Sequence, residues 1–577
     1  MSDRMLISLA SEAKDASPKD YAEKHVFLTG FMGSGKTTVG RLLARALGRP
    51  FVDMDAELEK LFQKSVASVF ESEGEAFFRQ TEASLLANLN DRDRPSVVAT
   101  GGGVVGSQAN RAILKQALTF FLDLPVEAAW KRVSLEDGGA ARPLAVSKDK
   151  FKDLFHSRQD LYRRCGSVFS ALDPPEATAA KIAAFVLWEE PIELKTEGRL
   201  CRILTDRVGA TVGELREKVM GGRRALVLAD PFFRGREAEF MGPGWPGGPG
   251  PGEPGPGGLG PGGLGPGSPD RVLYLDKQGE EAKTLETAGL VLKAMAEAGL
   301  DRSDYLVVRG GGSLSDLGAL CAGLYKRGLN LALMPTTLLA AVDAAVGGKA
   351  AVNLGGVKNQ VGLFHPAAEV WIDPLVLRDL PEQLKRDGLV EAYKTALLFD
   401  PGLVGLITRG LGALLEGDAV LLARVAHDCA LHKAGLVAKD LREEKGIRDV
   451  LNLGHTYGHA VESFGAPEVS HGRAVALGLA AALVYSREVL KLDPSLVKSG
   501  IGVLKRLAGG AFPPAPPRGE CLRLLSFDKK IRDGKLRFVG LRAPGESVLA
   551  AGVDPGLILD AAEEAAALGR RSPAGDY

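Results

Sequence analysis

Apolar positions in the first third of the chain fall into short β-type runs separated by amphipathic stretches. His25-Val-Phe-Leu-Thr29, Phe51-Val-Asp-Met-Asp55, Pro95-Ser-Val-Val-Ala-Thr100 and Thr119-Phe-Phe-Leu-Asp-Leu124 read as strands, and residues 38–47 as the helix after the first of them. Strands alternating with helices predict a parallel sheet covered by helices. From Pro191 the pattern starts again: residues 192–196 and 201–205 alternate like a hairpin, and residues 224–230, 271–275, 305–308 and 329–333 read as further strands between helical stretches. After about Leu384 strand signals almost vanish and Ala/Leu-rich helical patterns take over. The expected class is α/β. A polar extension at 1–24 precedes a parallel-sheet unit at 25–189, a second α/β unit at 190–384 and an α-helical subdomain at 385–577.

One stretch fits neither period. Residues 241–270 are rich in proline and glycine, with Gly-Pro-Gly-Gly-Leu at 255–259 and again at 260–264. Glycine does not recur at every third position, which excludes collagen, and the stretch has too little apolar surface to fold, so a disordered surface loop is expected. The remaining composition is that of a soluble globular protein, 45% hydrophobic and 25% charged. Lys+Arg and Asp+Glu both total 72, so no bulk charge draws the chain to nucleic acid or to an anionic membrane, and neither is expected as a partner. Cys165, Cys201, Cys321, Cys429 and Cys521 lack C-x-x-C pairing, as suits reduced thiols. Residues 1–24 lack the apolar region of a signal peptide, and no run reaches the roughly 18 to 20 apolar residues of a spanning helix. A cytoplasmic location is expected.

Chemistry is written at two distant places. Gly30-Phe-Met-Gly33-Ser34-Gly35-Lys36-Thr37 satisfies the phosphate-loop pattern G-x-x-x-x-G-K-S/T between a strand and a helix. Backbone N–H groups from Gly33 to Thr37 can wrap a triphosphate, Lys36 can bridge its outer phosphates, and the Thr37 hydroxyl can ligate Mg²⁺, with Thr38 next in line. Far downstream, His455-Thr-Tyr-Gly-His459 and His471 supply imidazoles at metal-ligand spacing. A nucleotide site and a metal site so far apart imply two catalytic modules.

After the phosphate loop come Asp53-x-Asp55, Phe78-Arg79-Gln-Thr-Glu82, Gly101-Gly102-Gly103, Arg142-Pro-Leu and Arg158 before Leu161-Tyr-Arg-Arg164. Singly each has a duller reading, such as a helix cap or a turn. Together, over residues 25 to about 188, they resemble shikimate kinase. The resemblance implies a P-loop kinase using ATP with Mg²⁺, Thr37 and Asp53 serving the metal and Asp55 taking the acceptor hydroxyl and its proton. Arg79 and Arg158 would clamp the shikimate carboxylate, Gly102 would offer its N–H to a ring hydroxyl, and Arg142 would close on the phosphates.

The second module carries Arg309-Gly310-Gly311-Gly312-Ser-Leu-Ser-Asp316 after a strand, then Pro335-Thr336-Thr337 leading to Asp343 and Lys349, and then Gly356-Val-Lys358-Asn359. From about residue 191 nearly to the C-terminus the chain resembles 3-dehydroquinate synthase. The resemblance implies a Rossmann-like NAD-binding subdomain followed by a helical metal-binding subdomain. It assigns Asp230, Glu280, Lys283, Gly311, Gly312, Asp316, Thr336, Thr337, Lys349 and Lys358 to NAD⁺. Glu391, His455 and His471 would ligate Zn²⁺ or Co²⁺, with His459 beside the metal handling substrate or proton. Arg327, Asp343, Lys349, Asn359, Lys394, Lys433, Arg448, Asn452 and one of Lys529 or Lys530 match substrate positions, suiting an acid phosphate, 3-deoxy-D-arabino-heptulosonate 7-phosphate. A homodimer through this half is expected, with Arg327 arriving from the neighbouring subunit. Two departures stand out: His471-Gly-Arg473 replaces the family's frequent His-Gly-Glu, and the Pro/Gly insert follows the first NAD-binding strand. The implied protein is bifunctional; the alternatives are a related sugar-phosphate cyclase in the second half or a non-catalytic nucleotide-binding domain in the first.

Overall fold

The computed structural model describes residues 24–92, 94–136, 148–187, 191–197, 199–205, 211–241, 270–526, 531–532 and 535–571. Residues 1–23, most of the Pro/Gly insert (242–269), Arg142, Lys529 and Lys530 lie outside the described residues. Two compact units divide the chain, the first ending at Glu190 and the second starting at Pro191.

In the first unit β1 (Val26–Thr29), β2 (Phe51–Asp53), β3 (Val97–Ala99), β4 (Leu118–Asp123) and β5 (Ser167–Ser170) form a parallel sheet in the order β2-β3-β1-β4-β5. Val26, Phe27 and Leu28 on the central strand are all fully buried, because helices cover both faces and leave no polar side for alternation. The Lys36–Leu47 helix turns Val39, Leu43, Ala44 and Ala46 inward.

The second unit is built on seven strands: β6 (Ile192–Thr196), β7 (Arg199–Leu204), β8 (Ala225–Ala229), β9 (Asp270–Tyr274), β10 (Tyr305–Gly310), β11 (Asn330–Pro335) and β14 (Glu369–Trp371). Their order is β6-β7-β14-β11-β10-β8-β9. β6 and β7 pair antiparallel as a hairpin and every other neighbour is parallel. Between β11 and β14 the chain makes an antiparallel ribbon of β12 (Lys349–Leu354) and β13 (Val357–Phe364). The insert interrupts the crossover from β8 to β9, whose flanks are fastened to each other. Tyr274 donates its hydroxyl proton to Glu237 Oε1 (2.7 Å), and Phe240 and Met241 of the short Glu237–Met241 helix lie in the core with Val227 and Val307.

From Glu382 onward helices dominate, as the pattern predicts: Glu382–Phe399, Pro401–Glu416, Ala419–Lys439, His455–Gly465, His471–Leu490, Pro494–Leu507 and Pro555–Arg571. The expectation of an α-helical subdomain needs one correction. β15 (Ile531–Arg532), β16 (Lys535–Ala543) and β17 (Glu546–Ala551) form a three-stranded antiparallel sheet. Strict alternation fails there because the adjacent Phe538 and Val539 are both buried. The sheet braces the site, since Arg537 Nη1 donates to Asp449 Oδ2 (2.9 Å) on the loop leading to His455. All five cysteines are buried and unpaired. Among the described residues no helix is long and apolar enough to cross a membrane.

Candidate active sites

In the first unit the phosphate loop leaves β1 and turns into the Lys36–Leu47 helix through Gly33 and Gly35. Their φ values of 75° and 83° are reached easily only without a side chain. Lys36 Nζ donates to the loop carbonyls of Gly30 (2.9 Å) and Phe31 (3.2 Å), and Thr37 Oγ1 donates to Asp53 Oδ2 (2.7 Å). Asp53 ends β2 and also caps the Met54–Phe62 helix by accepting from the Asp55 and Ala56 amides, which aims Asp55 into the same cleft. That cleft, about 710 Å³, is lined by Lys36, Thr37, Thr38, Asp53, Asp55, Arg79, Gly102 and Arg158 together. Arg158 Nη1 donates to the Gly102 carbonyl (2.9 Å), as does the Tyr162 hydroxyl.

Two further residues shape the cleft, Glu82, which the motif contains without a role of its own, and Arg132, which no motif contains. Glu82 accepts from Arg79 Nη1 at 2.8 Å while only 1% exposed, and Arg132 Nη1 donates to the Gly33 carbonyl (3.3 Å) from 99 residues away. Burial pushes the Glu82 carboxyl up against the pull of Arg79. Glu82 closes the Phe78–Glu82 motif, where its spacing of three from Arg79 is the local signal of the pair; nothing local marks Arg132.

In the second unit the cradle lies at the carboxyl ends of adjacent strands, where ligands of such sheets bind. Gly311 caps the Gly312–Leu324 helix after β10, Asp230 follows the neighbouring β8, and Thr336 follows the neighbouring β11 with its N–H on the Gly310 carbonyl (3.0 Å). Thr337 Oγ1 accepts from the Ala340 amide (3.2 Å). Buried Lys283 donates to Asp316 (2.8 Å) and to Asn359 (2.6 Å), and Glu280 accepts from Asn353 (2.9 Å) and Ser313 (3.3 Å), so the β12–β13 ribbon is tied to the cradle. A helix N-terminus beside these polar groups fits the pyrophosphate of a dinucleotide.

Glu391 on the Glu382–Phe399 helix meets His455 and His471, each the first residue of its own helix. His455 Nδ1 donates to the Leu453 carbonyl (3.1 Å) and His471 Nδ1 donates to Glu462 Oε2 (3.0 Å), which leaves both Nε2 lone pairs facing inward. Each Nε2 lies 3.3 Å from the same oxygen, Glu391 Oε1. Three electron-rich atoms so placed need a cation among them, and 3.3 Å is the edge of a tetrahedron whose arms are about 2.0 Å, the usual zinc distance. The residues fit a divalent metal. Burial opposes a charge on the His471 ring, but hydrogen bonds to Glu391 and Glu462 raise it to about 10, which measures how strongly the pocket favours positive charge. The exposed His459 ring stands 5.3 Å from that of His455.

Four cations crowd beside this trio. Lys394 Nζ lies 2.5 Å from Glu391 Oε2, Lys433 pairs with Asp343, and Lys349 and Arg448 share Glu443 at 2.5 and 3.3 Å. Despite burial, Lys433 and Lys394 hold the Asp343 carboxyl down to about 2. Lys358 pairs with Glu462 (2.9 Å), and Asn452, between Arg448 and His455, donates to the Asp449 carbonyl (3.1 Å). Glu443 and Glu462 were not legible in the sequence because each joins a near partner, Arg448 or His471, to a lysine some hundred residues away, at spacings that match no motif. Arg327 is not brought to this group: it lies exposed beyond the far end of the Gly312–Leu324 helix, about 20 Å of helix from the cradle. Arg473, the departure at His471-Gly-Arg473, donates to the Ala508 carbonyl (3.3 Å) beside Arg386 on Arg506, so it serves the C-terminus of the Pro494–Leu507 helix.

The shikimate kinase family profile matches residues 32–186, and the profiles of 3-dehydroquinate synthase, N-terminal and C-terminal, match residues 274–387 and 388–531. A bifunctional shikimate kinase/3-dehydroquinate synthase of Thermotoga maritima is 32% identical over 467 residues, 80% of this chain and 84% of the relative. A 3-dehydroquinate synthase of Halorhodospira halophila is 38% identical over 288 residues, 50% of this chain and 81% of the relative. Among solved structures, ValA, the 2-epi-5-epi-valiolone synthase of Streptomyces hygroscopicus subsp. jinggangensis with NAD⁺ and Zn²⁺ bound, aligns at TM-score 0.54 and 25% identity, over 65% of this chain and 98% of that one. With similarity to one bifunctional relative spread over four-fifths of its length and both halves matched separately, the chain belongs to the family of bifunctional shikimate kinase/3-dehydroquinate synthases.

Proposed function

We propose that the first unit transfers the terminal phosphoryl group of ATP to the 3-hydroxyl of shikimate, and that the second converts 3-deoxy-D-arabino-heptulosonate 7-phosphate into 3-dehydroquinate and phosphate. The kinase half is carried by the shared cleft in which the phosphate loop, Asp55 and two arginines meet. Phosphoryl transfer demands positioning and charge neutralisation. Lys36 neutralises the phosphates, Thr37 and Asp53 would hold Mg²⁺, Asp55 accepts the hydroxyl proton, and Arg79 with Arg158 grips a planar carboxylate.

The synthase half is carried by the convergence of Glu391, His455 and His471 beside buried cations. Zn²⁺ or Co²⁺ held there would supply Lewis acidity, and NAD⁺ in the cradle would take up and return a hydride within one turnover. The chain's own residues do the rest. Lys394, Lys433, Lys349 and Arg448 neutralise the carboxylate and phosphate of the substrate, Asp343 holds Lys433 in place, and His459 moves a proton at the substrate. The ValA structure, with NAD⁺ and Zn²⁺ bound, supports this pair of cofactors.

The test is to assay one purified sample for shikimate-dependent ATP consumption and for phosphate release from 3-deoxy-D-arabino-heptulosonate 7-phosphate, with sedoheptulose 7-phosphate in parallel. Turnover of sedoheptulose 7-phosphate alone would make the second half a different cyclase; no ATP consumption would leave the first a binding domain. We also place the chain in the cytoplasm as a homodimer through the second unit, with Arg327 reaching the neighbouring subunit. Light scattering that returns a monomer mass would remove that assembly.

A further inference from the structure

The ribbon and the metal pocket are joined by one carboxylate. Glu462, one turn after His459 on the His455–Gly465 helix, uses both oxygens: Oε2 accepts from His471 Nδ1 at 3.0 Å and Oε1 accepts from Lys358 Nζ at 2.9 Å. Its side chain is 19% exposed, and that of Lys358, on β13, is 61% exposed. The partners come from three places in the chain, 104 residues separating Lys358 from Glu462 and 80 separating His471 from Glu391. On its other ring nitrogen His471 faces Glu391 Oε1 at 3.3 Å. An unbroken line of polar contacts thus runs from the cofactor ribbon, Lys358, through Glu462 and His471 to Glu391.

We infer that Glu462 is a positioning residue for the metal: it fixes the His471 tautomer with Nε2 aimed inward, and Lys358 holds Glu462 so that the grip on the metal depends on where the ribbon stands. A carboxylate on the far nitrogen of a ligating imidazole orients the ring and raises its basicity, and losing such a partner costs 10- to 100-fold in metal affinity. Lys358 restrains this carboxylate from the ribbon, which Lys283 and Asn353 tie in turn to the cradle. Ligand at the cradle and metal at the pocket therefore share a part, and linkage makes their effects on each other reciprocal.

The inference rests on the three-ligand reading of the metal pocket, so the experiment includes a ligand variant. Zn²⁺ affinity of the full chain is measured by chelator competition for wild type, Glu462→Gln, Lys358→Met, the double variant and His455→Ala. The Co²⁺ visible spectrum and the unfolding midpoint of metal-free protein are recorded alongside. Glu462→Gln should weaken metal binding 10- to 100-fold and shift the Co²⁺ bands while the metal-free midpoint stays put. Lys358→Met should weaken it several-fold in wild type and much less in the Glu462→Gln background. Unchanged affinity in Glu462→Gln, or a loss matched by an equal loss of metal-free stability, would overturn the role of Glu462. Additive losses would remove Lys358 from it. Undiminished affinity in His455→Ala would sink the pocket itself and the inference with it.

Discussion

Arg79 reaches the kinase cleft from a helix, and its guanidinium is held by Glu82 at 2.8 Å and by Glu75 at 3.3 Å; the other Glu82 oxygen, Oε1, is buried with no hydrogen-bond partner among the described residues. Glu82→Gln removes the negative charge that faces Arg79 and sets an amide N–H against it, a loss of about 1.5 kcal/mol, and should raise the KM for shikimate about tenfold with little change in the KM for ATP. Equal rises in both constants would mean that Glu82 only supports the fold. Asp343 offers a test by pH. Its folded value of about 2 lies below the unfolded one near 3.9, so the stability it contributes is complete above about pH 4 and is lost as pH falls toward 2. Metal-free Asp343→Asn protein should therefore lose less of its unfolding midpoint between pH 5 and 2.5 than wild type does; identical slopes would remove the Lys433 pair from the account.

Two helices owe their approach to missing side chains. A Cβ at Gly478 would lie 2.0 Å from the Gly454 carbonyl oxygen and 2.9 Å from the Gly458 amide, so the His455–Gly465 and His471–Leu490 helices cross in contact at glycine. That crossing keeps His455 and His471 at one pocket. Gly478→Ala should cost about 1–3 kcal/mol by overpacking and lower the metal content per chain. Full metal content with unchanged stability would show that the crossing has room. Elements such as these were partly legible in the sequence. The strand, glycine loop and helix of the kinase and the His-x-x-x-His spacing are local patterns, so both could be read directly. The β15–β17 sheet could not, because Phe538 and Val539 are buried on both of its sides. Nor could Arg132, whose partner is 99 residues away, or Glu443 and Glu462, whose role lies in joining a near partner to a remote lysine. Arg473 was legible as a departure but not as a helix cap, since Ala508 is 35 residues away.

At the scale of the molecule each unit has its own sheet, and among the described residues the kinase cleft is lined from the first unit and the metal trio comes from the second. Asp55→Asn should abolish shikimate phosphorylation and leave dehydroquinate formation intact. Dialysis against a chelator followed by Mg²⁺ alone should restore only the kinase, with Zn²⁺ or Co²⁺ needed for the synthase. Comparable loss of both activities in folded Asp55→Asn protein would contradict the independence of the halves. The fastening of Glu237 to Tyr274 has a practical consequence as well, for it makes the interruption between β8 and β9 a splice port. Both flanks are secured by contacts of their own, and a doubling of loop length costs only about 0.6 kcal/mol, so cargo of another sequence can be carried there. Replacing residues 244–268 with a short Gly/Ser linker, or with a small fluorescent domain whose termini lie close together, should preserve both activities and the NAD⁺ requirement. Asp270, where the insert rejoins the chain, pairs with Ala225 at the amino end of the sheet, whereas the Asp230 cradle lies at the carboxyl end, so cargo seated there should leave the cofactor site undisturbed; a raised NAD⁺ requirement in the linker version would close the port.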